Sequence, residues 1–351
     1  MPHVEPSSPG QPDELPPDAT QPDERPPDAT QPDELPPVLR PRQSGEPLWM
    51  PERVVTAGDA ALALADQFPE LLGAHVVQLA EGWDNTVHVV NDVWAVRFPR
   101  RARVLEGLRR EMAWLPLLAP LLPLPIPVPE LLGEPIVPDD TSNWPFWGAR
   151  LLPGVELCDA ELPDGQRGEL AADVGRFLRV LHQVTPAEVL AEQLPIDPGR
   201  RSDPSFRVPM ARQQMDLLAQ AGVWVPHAQV EALLAAAEKL GGTTADLVLS
   251  HGDLHLRHLL VLGNRASAII DWGDMCLADP AVDLSIAFCA FAGNDRQRLF
   301  DEYGPLPPDR ELRARALAIM LGAVLAEYAL RVDRPALLRE SLAGIVRGGS
   351  S

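Results

Sequence analysis

The chain has 351 residues, 46% of them hydrophobic, with 50 acidic against 30 basic side chains and a net charge of -20. That length fits one large domain or two moderate ones, and the apolar share is enough for a buried core. The acidic balance argues against nucleic acid, whose binding needs basic patches to release counterions. It also argues against an anionic membrane surface, and it favours a cationic small molecule.

Lys239 is the single lysine, so any cation offered to a phosphate here is an arginine. Cys158, Cys276 and Cys289 are an odd, unpatterned set and read as core thiols of a reducing compartment. The N-terminus is acidic and proline-rich, with no signal-peptide pattern. The apolar stretch from Ala316 to Leu330 is broken by Glu327 and is too short to span a bilayer. A soluble, cytoplasmic protein is the expectation.

A ten-residue repeat, Gln11-Pro12-Asp13-Glu14-Leu15-Pro16-Pro17-Asp18-Ala19-Thr20, recurs from Gln21 and again from Gln31. Proline blocks both helix and sheet ladders, and the repeat has almost nothing to bury. Residues 1–47 carry 10 acids against 3 arginines, which is -7 of the net charge, and read as a disordered acidic tail. From about residue 48 the composition becomes that of a globular chain. Asp59 to Leu72 reads as a helix capped by Asp59. Val76–Leu79, Thr86–Val90 and Val93–Phe98 read as strands, with Asn91-Asp92 as a two-residue hairpin turn. Strand alternation puts Val93, Ala95 and Arg97 on one face and Trp94, Val96 and Phe98 on the other.

A helix follows from Arg103 to Leu115, where Pro116 is expected to stop it. Val104, Leu108, Glu111 and Leu115 form its inward stripe. A glutamate on that stripe needs a partner, and Arg97 is the obvious candidate. Leu121–Pro129 reads as an extended connector and Phe146–Leu152 as a strand. Helices are expected at Glu169–His182, Met210–Gln220, Ala228–Leu240, Pro280–Phe291, Arg310–Arg331 and Pro335–Arg347. Between them, Leu247–Leu249, Leu259–Leu262 and Ala266–Ile270 are apolar runs, with a tight turn at Gly263-Asn264-Arg265. The fold class is therefore α+β: a small, mainly β lobe over 48–147, then a larger, mainly helical lobe over 148–351.

That hairpin organises the chemistry. Asp253 lies on the loop entering it and Asp271 where its second strand ends, so two carboxylates can converge, one acting on a nucleophile and one holding a metal. With their surroundings they resemble the aminoglycoside/macrolide phosphotransferase family, small-molecule kinases with a two-lobed protein-kinase-like fold. The resemblance covers roughly residues 75 to 290. It rests on Glu81-Gly82-Trp83-Asp84-Asn85-Thr86, Val96-Arg97-Phe98-Pro99-Arg100, Arg110-Glu111 and Leu121-Pro123-Leu124-Pro125-Ile126-Pro127. It rests further on His251-Gly252-Asp253-Leu254-His255, Ile270-Asp271-Trp272-Gly273-Asp274, Asp279-Pro280-Ala281 and Asp283-Leu284.

The resemblance implies transfer of the γ-phosphate of ATP or GTP to a hydroxyl of a small molecule, an aminoglycoside, a macrolide or a metabolite. Phosphoryl transfer needs positioning and charge neutralisation more than covalent help. Asp253 would orient the acceptor hydroxyl or take its proton. Asp271 would give a hard oxygen to Mg2+ on the phosphates. Arg97, held by Glu111, would contact the α- and β-phosphates, and arginine does this bidentately. Ala95 would lie against the base, and Gly82 to Thr86 would cover the phosphates, helped by Asn85 or Thr86.

One position departs from the family. Gly-Asn usually stands where this chain has Arg257-His258, and that asparagine normally helps to hold magnesium. Three readings stay open: His258 hydrogen-bonds Asp253 or Asp271 and leaves the metal to Asp271; His258 binds a softer ion such as Mn2+; or transfer is impaired and the chain is a nucleotide-binding pseudoenzyme. Arg257 could offset some phosphate charge. His251, His255 and His258 also suggest zinc, but their spacing is informative only on a helix, which Gly252 argues against. Asp279 and Asp283 read as structural, Asp274 as a possible wall of the acceptor pocket, and His182 as a packed or capping residue. The acceptor pocket is expected from 203–240 and 310–328. The acceptor, the choice of nucleotide, the number of metal ions, the oligomeric state and the role of the tail stay open.

Overall fold

The computed structural model describes residues 51–82, 84–136, 144–189, 194–243 and 246–350. The expected tail over 1–47, the start of the first lobe and Trp83 lie outside the described residues. The described residues belong to one compact unit.

The first lobe is a five-stranded antiparallel sheet, β1 (Val76–Glu81), β2 (Asn85–Val90), β3 (Trp94–Pro99), β4 (Leu131–Gly133) and β5 (Phe146–Arg150), in the order β1-β2-β3-β5-β4. Helix α1 (Ala57–Gln67) covers one face, where Val96 and Phe98 pack with Ala60 and Leu64. Its cap is Thr56, not Asp59: the Thr56 hydroxyl accepts the Asp59 N–H at 3.2 Å, and the Asp59 carboxylate accepts the Thr56 N–H at 2.9 Å. That reciprocal pair places Asp59 at the third helical position. The helix ends at Gln67 rather than Leu72, because Pro69 has no N–H to continue it and restricts Phe68. The β2–β3 turn has Asn91 and Asp92 at φ of 52° and 55°, with the Val93 N–H donating to Val90 at 3.0 Å, as a hairpin turn of the expected kind requires.

Helix α2 (Leu105–Leu118) crosses the other face of the sheet and does not stop at Pro116. Trp114, Leu115 and Leu118 are fully buried in the main core of the second lobe. At roughly 1.5–3 kcal/mol per buried side chain, these three outweigh the roughly 3 kcal/mol that an interior proline costs. The end of α2 thus belongs to the second lobe and its start to the first, with Leu108 packed against Trp147 of β5.

The second lobe begins with β6 (Val155–Glu156), α3 (Gly168–Leu181) and the short α4 (Pro186–Val189). Next come α5 (Pro204–Gln220) and α6 (Ala228–Ala237). Helix α5 starts six residues before the expected Met210, because Asp203 caps it, accepting from the Ser205 N–H at 3.1 Å, and Pro204 sits in its first turn. Strands β7 (Val248–Ser250), β8 (Leu259–Leu262), β9 (Arg265–Ile269) and β10 (Cys276–Ala278) form two small sheets, β6-β8-β9 and β10-β7. Helices α7 (Ala281–Ala290), α8 (Gly293–Tyr303), α9 (Pro308–Arg331) and α10 (Pro335–Gly349) complete the lobe. Among the described residues no helix is long and apolar enough to cross a membrane. All three cysteines are free and buried.

Candidate active site

Two loops hang from the small sheets. One runs from β7 through His251–His258 to β8, and the other from β9 through Ile270–Met275 to β10. Since β7 pairs with β10 and β8 with β9, the loops lie side by side. The first is pinned by the buried Asp283 of α7, whose carboxylate accepts the N–H groups of His251 at 2.8 Å and Gly252 at 3.0 Å. His182 reaches the same carboxylate at 3.2 Å, and its other ring nitrogen meets the Tyr303 hydroxyl at 2.8 Å, so it backs the anchor. Gly252 is at φ 88°, and a side chain there would run into the Asp274 carbonyl. His251 is structural: Nδ1 accepts the Asp253 N–H at 3.2 Å, and Nε2 donates to the Ile270 carbonyl at 3.0 Å. Burial lowers its pKa, in keeping with that neutral form.

Four side chains from both lobes then form a line that ends on the backbone carbonyl of a fifth residue, Asp253. Glu111 of α2 pairs with Arg97 of β3 at 2.7 Å, and Arg97 pairs in turn with Asp271 at 2.7 Å. Asp271 lies 3.3 Å from His258 Nε2, and His258 Nδ1 contacts the Asp253 carbonyl oxygen at 2.8 Å and its carboxylate at 3.9 Å. Glu111 is buried, as the stripe on α2 predicts, and also accepts the Trp272 N–H at 3.1 Å. Burial pushes its carboxyl up to about 7 against the pull of Arg97. Burial opposes ionisation of Asp271 too, but Arg97 and then His258 outweigh it and hold the carboxyl well below its usual range. Asp271 has φ 67°, a left-handed conformation that aspartate tolerates better than most residues.

His258 has a fixed tautomer. A carbonyl oxygen only accepts, so Nδ1 carries the proton toward Asp253. Its Nε2 then either holds a second proton and pairs with Asp271, or presents a bare lone pair to a carboxylate. The second arrangement is favourable only with a cation between the two atoms. Their 3.3 Å separation is close to the roughly 3 Å expected of neighbouring ligands on an octahedral ion with bonds of about 2.1 Å. The donor set thus suits a divalent cation held by Asp271 with His258 beside it.

The remaining expected residues are more spread out. Ala95 and Asn85 share the sheet face of Arg97 by register. The Asn85 side-chain oxygen is buried without a hydrogen-bond partner among the described residues. Thr86 lies opposite Phe98 and shares its face, so its hydroxyl is on the α1 side, away from Arg97. The Gly82 to Thr86 loop is held by Arg100, which donates to the Gly82 carbonyl at 2.8 Å, and by an Arg101–Asp84 ion pair. Arg257 turns away from the phosphate side, toward Glu156 at 3.3 Å and over the Tyr328 ring at 5.4 Å. Asp279 starts α7, accepting the Ala281 N–H at 2.8 Å. Of the three histidines that suggest zinc, His251 faces elsewhere, and the ligand atoms that come within 4.8 Å of one another are those of Asp253, His255 and His258. Arg201, which no sequence pattern marks, has Nη2 at 3.3 Å from Asp253 and 2.9 Å from Asp274.

Residues 75–329 match the model of the phosphotransferase enzyme family. The chain belongs to that family. This phosphotransferase is a small-molecule kinase with a hydroxyl as acceptor. The uncharacterized protein YcbJ of Bacillus subtilis (strain 168) is 27% identical to it over 225 residues, covering 60% of this chain and 67% of YcbJ. The solved GDP and kanamycin complex of APH(2″)-IIIa is similar with a TM-score of 0.58 at 21% identity, covering 82% of this chain and 97% of that one. Macrolide 2′-phosphotransferase type I is similar with a TM-score of 0.51 at 20% identity, covering 83% and 98%. At these identities the likeness carries the fold: a two-lobed, kinase-like architecture with a β lobe and a helical lobe.

Proposed function

We propose that this phosphotransferase moves the γ-phosphate of ATP or GTP to a hydroxyl of a small molecule in the cytoplasm, with Asp253 orienting that hydroxyl and taking its proton. The observation that carries the reading is the line Glu111–Arg97–Asp271–His258–Asp253, which joins a phosphate-binding cation, a metal-type carboxylate and a base across the two lobes. Arg97 faces the cleft with its charge held by Glu111, ready to exchange Asp271 for phosphate oxygens. Ala95, small and on the same face, leaves room for the base. Asp271 and His258 would hold Mg2+, or Mn2+ where the imidazole favours a softer ion; the ion would neutralise phosphate charge. Asp253 is only partly exposed, 22%, and its Oδ2 is 3.6 Å from His255, so few waters compete for the position of the hydroxyl.

Incubation with Mg-ATP or Mg-GTP and a panel of hydroxyl compounds, followed by mass spectrometry of the acceptor, tests the assignment. Asp253→Asn is expected to cut transfer by about 10²–10⁴-fold with nucleotide binding kept. Nucleotide binding without any transfer, and no effect of Asp253→Asn, would return the chain to the second reading. That reading is a nucleotide-binding protein of impaired catalysis, and it draws on the direct His258–Asp271 contact. His258→Asn separates the two: a large gain in rate marks the wild type as impaired, and a loss marks His258 as part of the machinery.

A further inference from the structure

Asp253 has two differently furnished sides. Its Oδ2 faces His255 and His258 and, through His258, Asp271. Its Oδ1 faces Arg201, and the same guanidinium nitrogen bonds Asp274. Phosphoryl transfer places acceptor and leaving group in line on opposite sides of the phosphorus. With the nucleotide on the Arg97–Asp271 side, the acceptor approaches over Arg201 and Asp274.

Arg201 is held rigidly. Its N–H donates to Asp197 Oδ1 at 2.7 Å, and Asp197 Oδ2 takes the Ser202 N–H at 2.8 Å and hydroxyl at 2.6 Å. The Asp197 N–H donates to Leu277 of β10 at 2.9 Å, and Arg313 of α9 donates to the Ser202 carbonyl at 2.9 Å. The Arg201 side chain is 15% exposed, and although burial opposes its charge, Asp253 and Asp274 together stabilise it.

The other acids of this strap are equally occupied. Asp197 is saturated by the three donors above. Asp203 takes Arg200 at 2.6 Å and the Ser205 hydroxyl at 2.6 Å at the start of α5. Arg207 adds a further cation, held by the Gly199 carbonyl. The net charge of -20 therefore says little about this surface, where Arg200, Arg201 and Arg207 stand among the carboxylates.

We infer that Arg201 determines the charge class of the acceptor: the site takes a neutral or weakly charged polyhydroxylated compound and disfavours a cluster of ammonium groups beside the reacting hydroxyl. The inference rests on the phosphotransferase reading for the direction of approach. It follows from pairing. An ammonium entering here meets a fixed guanidinium that already holds Oδ1 of Asp253 and Oδ2 of Asp274.

The test uses the full chain and two probes with the same hydroxyls, one polycationic and one neutral, kanamycin and its fully N-acetylated derivative. Their affinities are measured by calorimetry for the wild type, Arg201→Met and Arg201→Lys. Arg201→Met uncovers two partly exposed carboxylates and is expected to bind kanamycin at least fivefold more tightly than the wild type, about 1 kcal/mol. The gain is lost in high salt and absent for the N-acetylated probe, and Arg201→Lys behaves as the wild type. Should the methionine variant fail to fold, Arg201→Gln gives the same readout. Equal kanamycin affinities in wild type and variant, including no binding by either, overturn the inference, as does an equal gain for both probes. Phosphate transfer is scored separately on product mass, so failure of the enzymatic reading is not confused with failure of this one.

Discussion

Gly107 of α2 packs directly on the backbone of Gly273, and replacing its hydrogen with a methyl group has a calculable result. A Cβ there would lie 2.5 Å from the Gly273 carbonyl oxygen, where ordinary contact begins at 3.4 Å, so the two backbones must part by about 0.9 Å. The Gly273 loop is also tied to α2 by Arg110, which donates to the Gly273 and Met275 carbonyls at 3.4 and 3.3 Å, and by the Trp272–Glu111 bond. Two opposing terms set the stability of Gly107→Ala. Alanine gains about 1 kcal/mol over glycine in a helix, and overpacking costs about 1–3 kcal/mol. The net change is a loss of about 0–2 kcal/mol, too little to unfold the protein. Function responds differently, because Asp271 is on the displaced loop and Arg97 and His258 both contact it. A misplacement of about 1 Å at a reacting centre costs on the order of 10²-fold in rate. Urea unfolding and initial rates of transfer, with Gly58→Ala as the control whose Cβ meets only Thr56 at 3.7 Å, separate the two effects. A Gly107→Ala protein with wild-type kcat/KM would refute the idea that α2 sets the position of Asp271.

Glu111→Ala strips the buried Arg97 of one of its two partners and should cost about 3 kcal/mol in urea unfolding, the lower end for a broken buried pair because Asp271 remains. Asp283→Ala leaves the His251 and Gly252 N–H groups buried without acceptors, at about 1–3 kcal/mol each, and hydrogen exchange at those two amides should report the loss. His88, His251 and His255 are buried with lowered pKa values, burial being the main cause. The unfolded chain binds their protons near pH 6.5 and the folded one does not, so stability falls as pH drops below about 6.5, by up to about 1.4 kcal/mol per pH unit for each histidine. Glu111, pushed up to about 7, acts oppositely, holding a proton in the folded state that the unfolded state lacks between about 7 and 4.5. Thermal unfolding from pH 7 to 5 should therefore show a net decline that steepens in Glu111→Gln.

The sequence made some of this legible because local rules carried it. The alternation in β3 placed Arg97 opposite Val96 and Phe98, and the stripe on α2 put Glu111 inward, so their pairing followed from geometry alone. Asp253 and Asp271 were legible because a hairpin returns its two ends to one place. Other parts depend on contacts distant in sequence. Pro116 reads as a stop until the buried Trp114, Leu115 and Leu118 are seen to hold the helix together. Helix α8 (Gly293–Tyr303) has one fully buried apolar residue, Leu299, and so no apolar stripe to read. Thr86 was separated from Arg97 by pairing register, which one strand alone cannot show. Arg201 approaches Asp253 from 52 positions away in a loop of turns, and nothing in its neighbours announces that.

The passage of α2 from one lobe into the core of the other also has a thermodynamic meaning. A helix whose first turns pack on Trp147 and whose last turn is interior to the helical lobe cannot melt with only one of them. Loss of the β lobe would expose Leu108 and strand the buried Glu111, and loss of the helical lobe would bring Trp114 into water. The lobes are thus cooperatively coupled, and a single heat-absorption peak, rather than two, is what such a shared element produces.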